Sequence, residues 1–272
     1  MSRITKAIIP VAGWGTRRLP ITKAIEKCML PVGNRPIVDY VVTDAISAGI
    51  TDIYFVVGED SQQLRSYYSH NEKLESYLEQ KGKQDELASV SPPEGVQFHY
   101  IIQSPEDKYG TATPVLLAAK EIRDTESVVV LMGDDFIYND DGSSETARLI
   151  EATPEGACGL LAARVLRENV YRYGVIELDD DQNYVRIIDQ PRPEAAPSDL
   201  INISKYVLTP EVIQIAASLE PAHNGEYQLP DAVNQYVASG GVVRVVPARG
   251  EYLDGGNLQS WLHANQVVAG KA

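Results

Sequence analysis

The chain has 272 residues, 44% of them hydrophobic and 23% charged, and a formal net charge of −14 from 24 Lys and Arg against 38 Asp and Glu. That balance belongs to a folding chain, not a disordered one, and its acidity excludes nucleic acid and an anionic membrane surface as principal partners. Two distant cysteines, Cys28 and Cys158, exclude a disulfide framework or zinc cluster, and no run approaches the roughly 18 apolar residues of a membrane span, so a soluble protein of the reducing cytoplasm is expected.

Residues 6–11 read as a buried strand that ends in a glycine-rich loop. The apolar stretch is cut off by Gly13, Gly15, Arg17 and Arg18, too soon for a signal peptide. Pro36 suits the first position of a helix that runs through Tyr40, Val41, Val42, Ala45 and Ile46 and stops at Gly49. Residues 53–57 make a second strand, the polar stretch 61–82 exposed helices, and residues 97–102 a third strand. Residues 113–123 read as a helix and residues 127–132 as a β-branched core strand. This alternation predicts βαβ units and a mostly parallel sheet.

The second half is less regular. Residues 175–178 and 184–188 flank the polar turn D-D-D-Q-N over 179–183, a hairpin pattern in which the acidic run is a solvated turn. A strand over 201–208, helices near 210–218 and 227–238, a strand over 242–246 and a helix over 257–269 complete the reading. With no linker or repeat, the expectation is one α/β domain over 1–272 whose second half forms an elaborated lid or substrate layer.

Chemistry concentrates in A-G-W-G-T-R-R-L-P over residues 12–20 and T-K-A-I-E-K-C-M-L-P over 22–31. A glycine-rich loop directly after the first strand lies where α/β sheets place ligands. Gly13 and Gly15 allow backbone N–H groups close to a phosphate, and Arg17 and Lys27 bring positive charge. The pattern is neither a P-loop nor the dinucleotide fingerprint, since Arg18 stands at the third glycine position. Cys28, beside Lys27, reads as a packing residue. The four histidines show no ligand spacing, and Asp135 reads as a turn residue.

This pattern resembles that of the sugar nucleotidyltransferases, and among them the bacterial uridylyltransferases that use UTP and glucose 1-phosphate. The similarity continues through Y-V-V-T-D-A-I-S-A-G-I at 40–50, L-M-G-D-D at 131–135, Y-G-V at 173–175, A-P-S-D-L at 196–200, Y-V-L at 206–208, E-Y-Q-L-P-D at 226–231 and D-G-G-N at 254–257. The resemblance implies a Rossmann-like three-layer α/β fold with a mixed, mostly parallel sheet and helices on both faces. Its nucleotide-binding part would span 1–140, its sugar-binding part 141–250, and a metal-ligand loop and helix 251–272.

It further implies that Ala12, Gly13, Gly15 and Thr16 hold the nucleotide, with Arg17 on its β- and γ-phosphates and Lys27 on the α-phosphate. Gln103 would read the uracil edge, Gly110 and Thr111 would form a second nucleotide turn, and Asp134 and Asp254 would hold Mg²⁺. Gly174, Asp189, Gln190, Lys205 and Glu226 would bind the sugar phosphate, in a homodimer or homotetramer. The product would be UDP-glucose, with pyrophosphate released. Two polyanions must meet in such a reaction, and Mg²⁺ with fixed cations offsets their repulsion.

One stretch departs from the family pattern. Where V-E-K-P is usual, this chain has I-D-Q-P over 188–191, so Gln190 is neutral where a Lys pairs with the sugar phosphate. Lys205 and Arg192 are the cations that could compensate. Three functions remain compatible: the uridylyltransferase, a related transferase using dTTP or another sugar 1-phosphate, and a nucleotide-sugar-binding paralogue with little turnover and a regulatory role. Residues 257–269, with Trp261, Leu262, Val267 and Val268, could close the core or pack in an interface.

Overall fold

The apolar runs read from the sequence become adjacent strands. The computed structural model describes residues 4–123 and 126–270; the outer ends of the expected 1–272 unit, residues 1–3 and 271–272, lie outside them. β1 (Lys6–Pro10) is followed by the two-residue strands β2 (Pro31–Val32) and β3 (Arg35–Pro36), then α1 (Ile37–Ser47) and β4 (Asp52–Gly58). The polar stretch folds as α2 (Gln63–Tyr67), α3 (Glu72–Gln80) and α4 (Gln84–Val90), leading into β5 (Gln97–Gln103), α5 (Ala112–Ala119) and β6 (Val128–Leu131). Next come β7 (Asp135–Tyr138), α6 (Glu145–Ala152), β8 (Cys158–Arg164), β9 (Gly174–Leu178), β10 (Tyr184–Asp189) and β11 (Leu200–Leu208). The chain continues with α7 (Pro210–Ala217), α8 (Leu229–Ala238), β12 (Val243–Pro247), β13 (Glu251–Asp254) and α9 (Leu258–Gly270).

Strands buried on both faces read as continuous apolar runs because alternate residues feed opposite layers. In β1, β4 and β6, Ala7, Ile9, Ile53, Phe55, Val57, Val129 and Leu131 pack with α1, α6 and α9 on one side. Ile8, Tyr54, Val56, Val128 and Val130 pack with α5, α7 and α8 on the other. The result is three layers, α/β/α.

The central sheet has nine strands in the order β10-β9-β11-β6-β1-β4-β5, with β8 on β11 and β12 on β8. β1 pairs in parallel with β4 and β6, β4 with β5, and β8 with β12, whereas β11 is antiparallel to β6, β8 and β9. Only β10 shares the direction of β11, so the sheet is mixed but mostly parallel. In the second half, β8, β9, β11 and β12 extend the same sheet. The D-D-D-Q-N turn does close the β9–β10 hairpin, with Asp179 Oδ1 accepting from Asp181 N (3.0 Å) and Asn183 N (2.8 Å).

α9 turns inward. Ala264 and Val268 enter the core, and Trp261 Nε1 donates to Pro31 O at 2.7 Å, while Leu258 and Leu262 stay exposed. No described helix is long and apolar enough to cross a membrane.

Parallel pairing sets the location of the site. The carboxyl ends of β1, β5 and β6 open on one edge, which brings together the loop after Pro10, Gln103 and the turn after Leu131.

Candidate active site

The glycine-rich loop owes its path to Gly15, at φ 63°. A Cβ there would stand 3.0 Å from Thr22 Cγ2 and 3.1 Å from Lys27 Cβ. That close approach lets Gly15 O accept from Thr22 Oγ1 (2.9 Å) and Arg18 N (2.8 Å), folding Thr16–Arg18 into a 3₁₀ turn. Gly13 has open space on its side-chain side, and Ala12 lies half-buried beneath it. Thr16 and Arg17 are exposed. Arg18 turns the other way: it is buried, with its guanidinium 4.9 Å over the Trp261 ring. The stack ties the back of the loop to α9.

Lys27 opens a further 3₁₀ turn, anchored by the buried Cys28 and Leu30. The Cys28 thiol is pushed up by burial, consistent with a packing role. Lys27 Nζ forms an ion pair with the Asp134 carboxylate, their side chains 15% and 35% exposed. β7 and β13 form a separate antiparallel pair in which Asp254 faces Asp135. Gly255 N donates to Asp134 O (3.0 Å) and Gly256 N to Asp254 Oδ1 (2.5 Å), so the D-G-G turn is bonded to the Asp134 backbone and orients the Asp254 carboxylate.

The electrostatics follow from that placement. Burial raises the Asp134 carboxyl, but Lys27 and then Lys205 outweigh it and hold it below its ordinary value. Asp254 is raised, by burial first and then by Asp134. No group of three or more His, Cys, Asp or Glu side chains able to hold a metal occurs among the described residues. Two hard carboxylates fit Mg²⁺, which takes one or two carboxylates plus substrate phosphates.

Asp135 and Lys205 correct the sequence reading. Asp135 is not simply a turn residue, because it begins β7 and is buried. Its carboxylate is ion-paired with Lys205 and accepts from Tyr252 OH at 3.1 Å. Lys205 also donates to Asp135 O at 3.1 Å and is 3% exposed. Its ammonium is thus engaged inside the protein and does not stand open to a sugar phosphate. Burial carries the Asp135 carboxyl to about 6 despite Lys205, with Asp134 adding to the rise.

Gln103 ends β5 half-buried at the open edge. The second predicted turn is tied to a neighbouring segment. Gly110, at φ 133°, would place a Cβ 2.3 Å from Tyr227 O, so only glycine admits that backbone. Ala112 N donates to Tyr227 O (2.9 Å) and Leu229 N to Thr111 Oγ1 (2.9 Å). Thr111 thereby satisfies the first amide of α8, and Glu226 accepts from Gln228 Nε2, whose amide oxygen faces the Thr111 hydroxyl at 3.2 Å. Thr111→Val should cost about 1 kcal/mol of stability, as loss of a helix cap does, and Thr111→Ser should recover most of it. Urea denaturation of the two variants checks this.

On the sugar side, Gly174 pairs with Asp189 across β9 and β10, and Gln190 N donates to Tyr173 O at 3.0 Å. Asp189 and Gln190 are exposed, with Gln190 at φ 43°. Tyr173 packs edge-on against Tyr252, their centroids 6.4 Å apart. The structure thus brings Lys27, Asp134 and Asp254 together, with the sugar-side residues attached through Tyr173 and Tyr252. Sequence reasoning missed Tyr252 and the buried stack of Arg18 on Trp261. The hydroxyl of Tyr252, two residues before Asp254, was the available signal.

Comparison with known proteins gives the family. The family model described as nucleotidyl transferase matches residues 6–271. A Streptococcus pyogenes protein named UTP–glucose-1-phosphate uridylyltransferase 2 is 36% identical over 242 residues, covering 86% of this chain and 80% of its own. The structure of UTP-bound UGPase from Acinetobacter baumannii superposes with a TM-score of 0.88 at 30% identity, over 97% of this chain and 93% of that one. A UDP-glucose pyrophosphorylase solved with UDP-glucose gives 0.84 at 27% identity, over 99% and 100%.

Proposed function

The chain belongs to the nucleotidyl transferase family, and from that premise we propose that it transfers a uridylyl group from UTP to glucose 1-phosphate, giving UDP-glucose and pyrophosphate. The observation that carries this reading is the Lys27–Asp134 pair beside Asp254, at the open edge of the sheet below the glycine-rich loop. The named activities of the uridylyltransferase and UGPase relatives support the choice of substrates.

The sugar phosphate is already ionised at neutral pH, so attack on the α-phosphorus needs no general base. The bond from the α-phosphorus to an oxygen of the sugar phosphate forms as the bond from the α-phosphorus to the leaving pyrophosphate oxygen breaks. Catalysis is then positioning and charge stabilisation. Gly13 and Gly15 let backbone N–H groups approach the triphosphate, Arg17 reaches its outer phosphates, and Lys27 moves from Asp134 to the α-phosphate. Gln103 reads the base, and Asp189 and Glu226 face the sugar. Asp134 and Asp254 would hold Mg²⁺, which supplies a Lewis acid that neutralises phosphate charge when bound.

The experiment is pyrophosphate release by the purified protein with Mg²⁺, pairing UTP or dTTP with a panel of sugar 1-phosphates. Release that needs both UTP and glucose 1-phosphate is expected. Release with dTTP or another sugar 1-phosphate instead would move the assignment to a related transferase. UTP binding with no release for any pair would sink the catalytic reading in favour of a binding paralogue, the alternative to which the uncharged Gln190 points.

A further inference from the structure

A site that grips a sugar 1-phosphate needs a cation that no protein carboxylate already occupies. This inference rests on the transferase reading above. Gln190 carries no charge, and Lys205 is committed to Asp135. The β9–β10 ladder shows where a replacement lies. Gly174 pairs with Asp189, one step outward Gln190 N bonds Tyr173 O, and Arg172 stands one step beyond.

Arg172 is exposed, and among the described residues no hydrogen bond or ion pair engages its guanidinium. It stands 5.5 Å over the Tyr173 ring. Tyr173 in turn meets Tyr252, whose hydroxyl reaches Asp135, the residue paired with Asp254. A short chain of contacts therefore runs from Arg172 to the carboxylates where the phosphates would meet. Arg192, also exposed and near Gln190 in sequence, is the competing cation.

We propose that Arg172 is the cation that binds the phosphate of the sugar 1-phosphate, doing from the end of the 3₁₀ helix Arg167–Arg172, just before β9, what Gln190 lacks the charge to do. A guanidinium suits the role, because its planar fork matches two phosphate oxygens while it can rest near the face of an aromatic ring such as Tyr173.

The test is steady-state kinetics of the full chain with Mg²⁺, varying glucose 1-phosphate at saturating UTP and then the reverse. Arg172→Gln is expected to raise KM for glucose 1-phosphate about 10–100-fold, the range of a lost charge-assisted hydrogen bond, with KM for UTP within about twofold. Arg172→Lys should fall between the two, keeping charge without the fork. Placing a charge back by Gln190→Lys in the Arg172→Gln chain should recover part of the loss. Several outcomes overturn the proposal: an unchanged KM in Arg172→Gln, an equal rise in both KM values, a loss in Arg172→Lys as large as in Arg172→Gln, no recovery on adding Gln190→Lys, or the same effect from Arg192→Gln. Absence of pyrophosphate release from the wild-type chain would overturn the transferase reading and this assignment with it. Release by the wild type with an indifferent Arg172→Gln would overturn the assignment alone.

Discussion

Lys205→Met is expected to destabilise the protein by about 3–5 kcal/mol, the cost of leaving one member of a buried ion pair without its partner. Lys205 is 3% exposed, and its ammonium holds both the carboxylate and the backbone oxygen of Asp135. Met keeps most of the volume, so the loss measures charge and hydrogen bonding more than packing. Removing the partner as well, in Lys205→Met with Asp135→Leu, should recover much of it, since apolar replacement of a buried pair is often neutral. A recovery of less than a third in the double variant would mean that Lys205 acts through packing.

The loss should also depend on pH. A carboxyl with a folded-state pKa above its unfolded value binds its proton first in the folded chain, so its contribution to stability falls as pH rises between the two values. Asp135 already stands at about 6 with Lys205 beside it, above its ordinary 3.8. Without the ammonium it rises further. The penalty of Lys205→Met should therefore be full at neutral pH and shrink as pH falls below 6, where Asp135 is neutral in the variant. Urea denaturation between pH 5 and pH 8 without added metal reads this directly, and a penalty that grows on acidification would overturn it.

The parallel half of the fold was legible for a physical reason. β1, β4 and β6 are buried on both faces, so each shows as an uninterrupted apolar run, and α1 is framed by Pro36 and Gly49. β8 escaped notice because C-G-L-L-A-A-R offers small residues of weak strand preference and no alternation, although six of its seven residues are buried. β7 and β13 are four residues each, and neither buries a full face alone. They exist as a pair joined across more than a hundred residues, and nothing local announces such a pairing. The site followed the same division. Residues on the glycine-rich loop and beside the D-G-G turn were readable because their chemistry is local. Asp135 was misread because the partners that make it structural, Lys205 and Tyr252, lie 70 and 117 residues further along.

Lys27→Ala should lower kcat by roughly 10²–10³, the usual effect of removing a charge that stabilises a transition state, while leaving the fold intact. On the proposed role of Asp134 in holding Mg²⁺, Asp134→Asn should do as much. Both side chains are partly open, and neither contributes to the core. The two variants differ in a second measurement. In the ligand-free chain the Lys27 ammonium neutralises Asp134, and burial leaves Asp254 reluctant to ionise beside it. Any cation that binds the two carboxylates must compete with Lys27. Calorimetric titration with Mg²⁺ in the absence of nucleotide should therefore show tighter binding to Lys27→Ala than to wild type, and weaker binding to Asp134→Asn. Slower turnover paired with tighter metal binding is the signature of a lysine shared between a carboxylate at rest and a phosphate in the reaction. A Lys27→Ala chain that binds Mg²⁺ more weakly would instead make Lys27 a support for the metal site, and wild-type turnover in either variant would remove that residue from the chemistry.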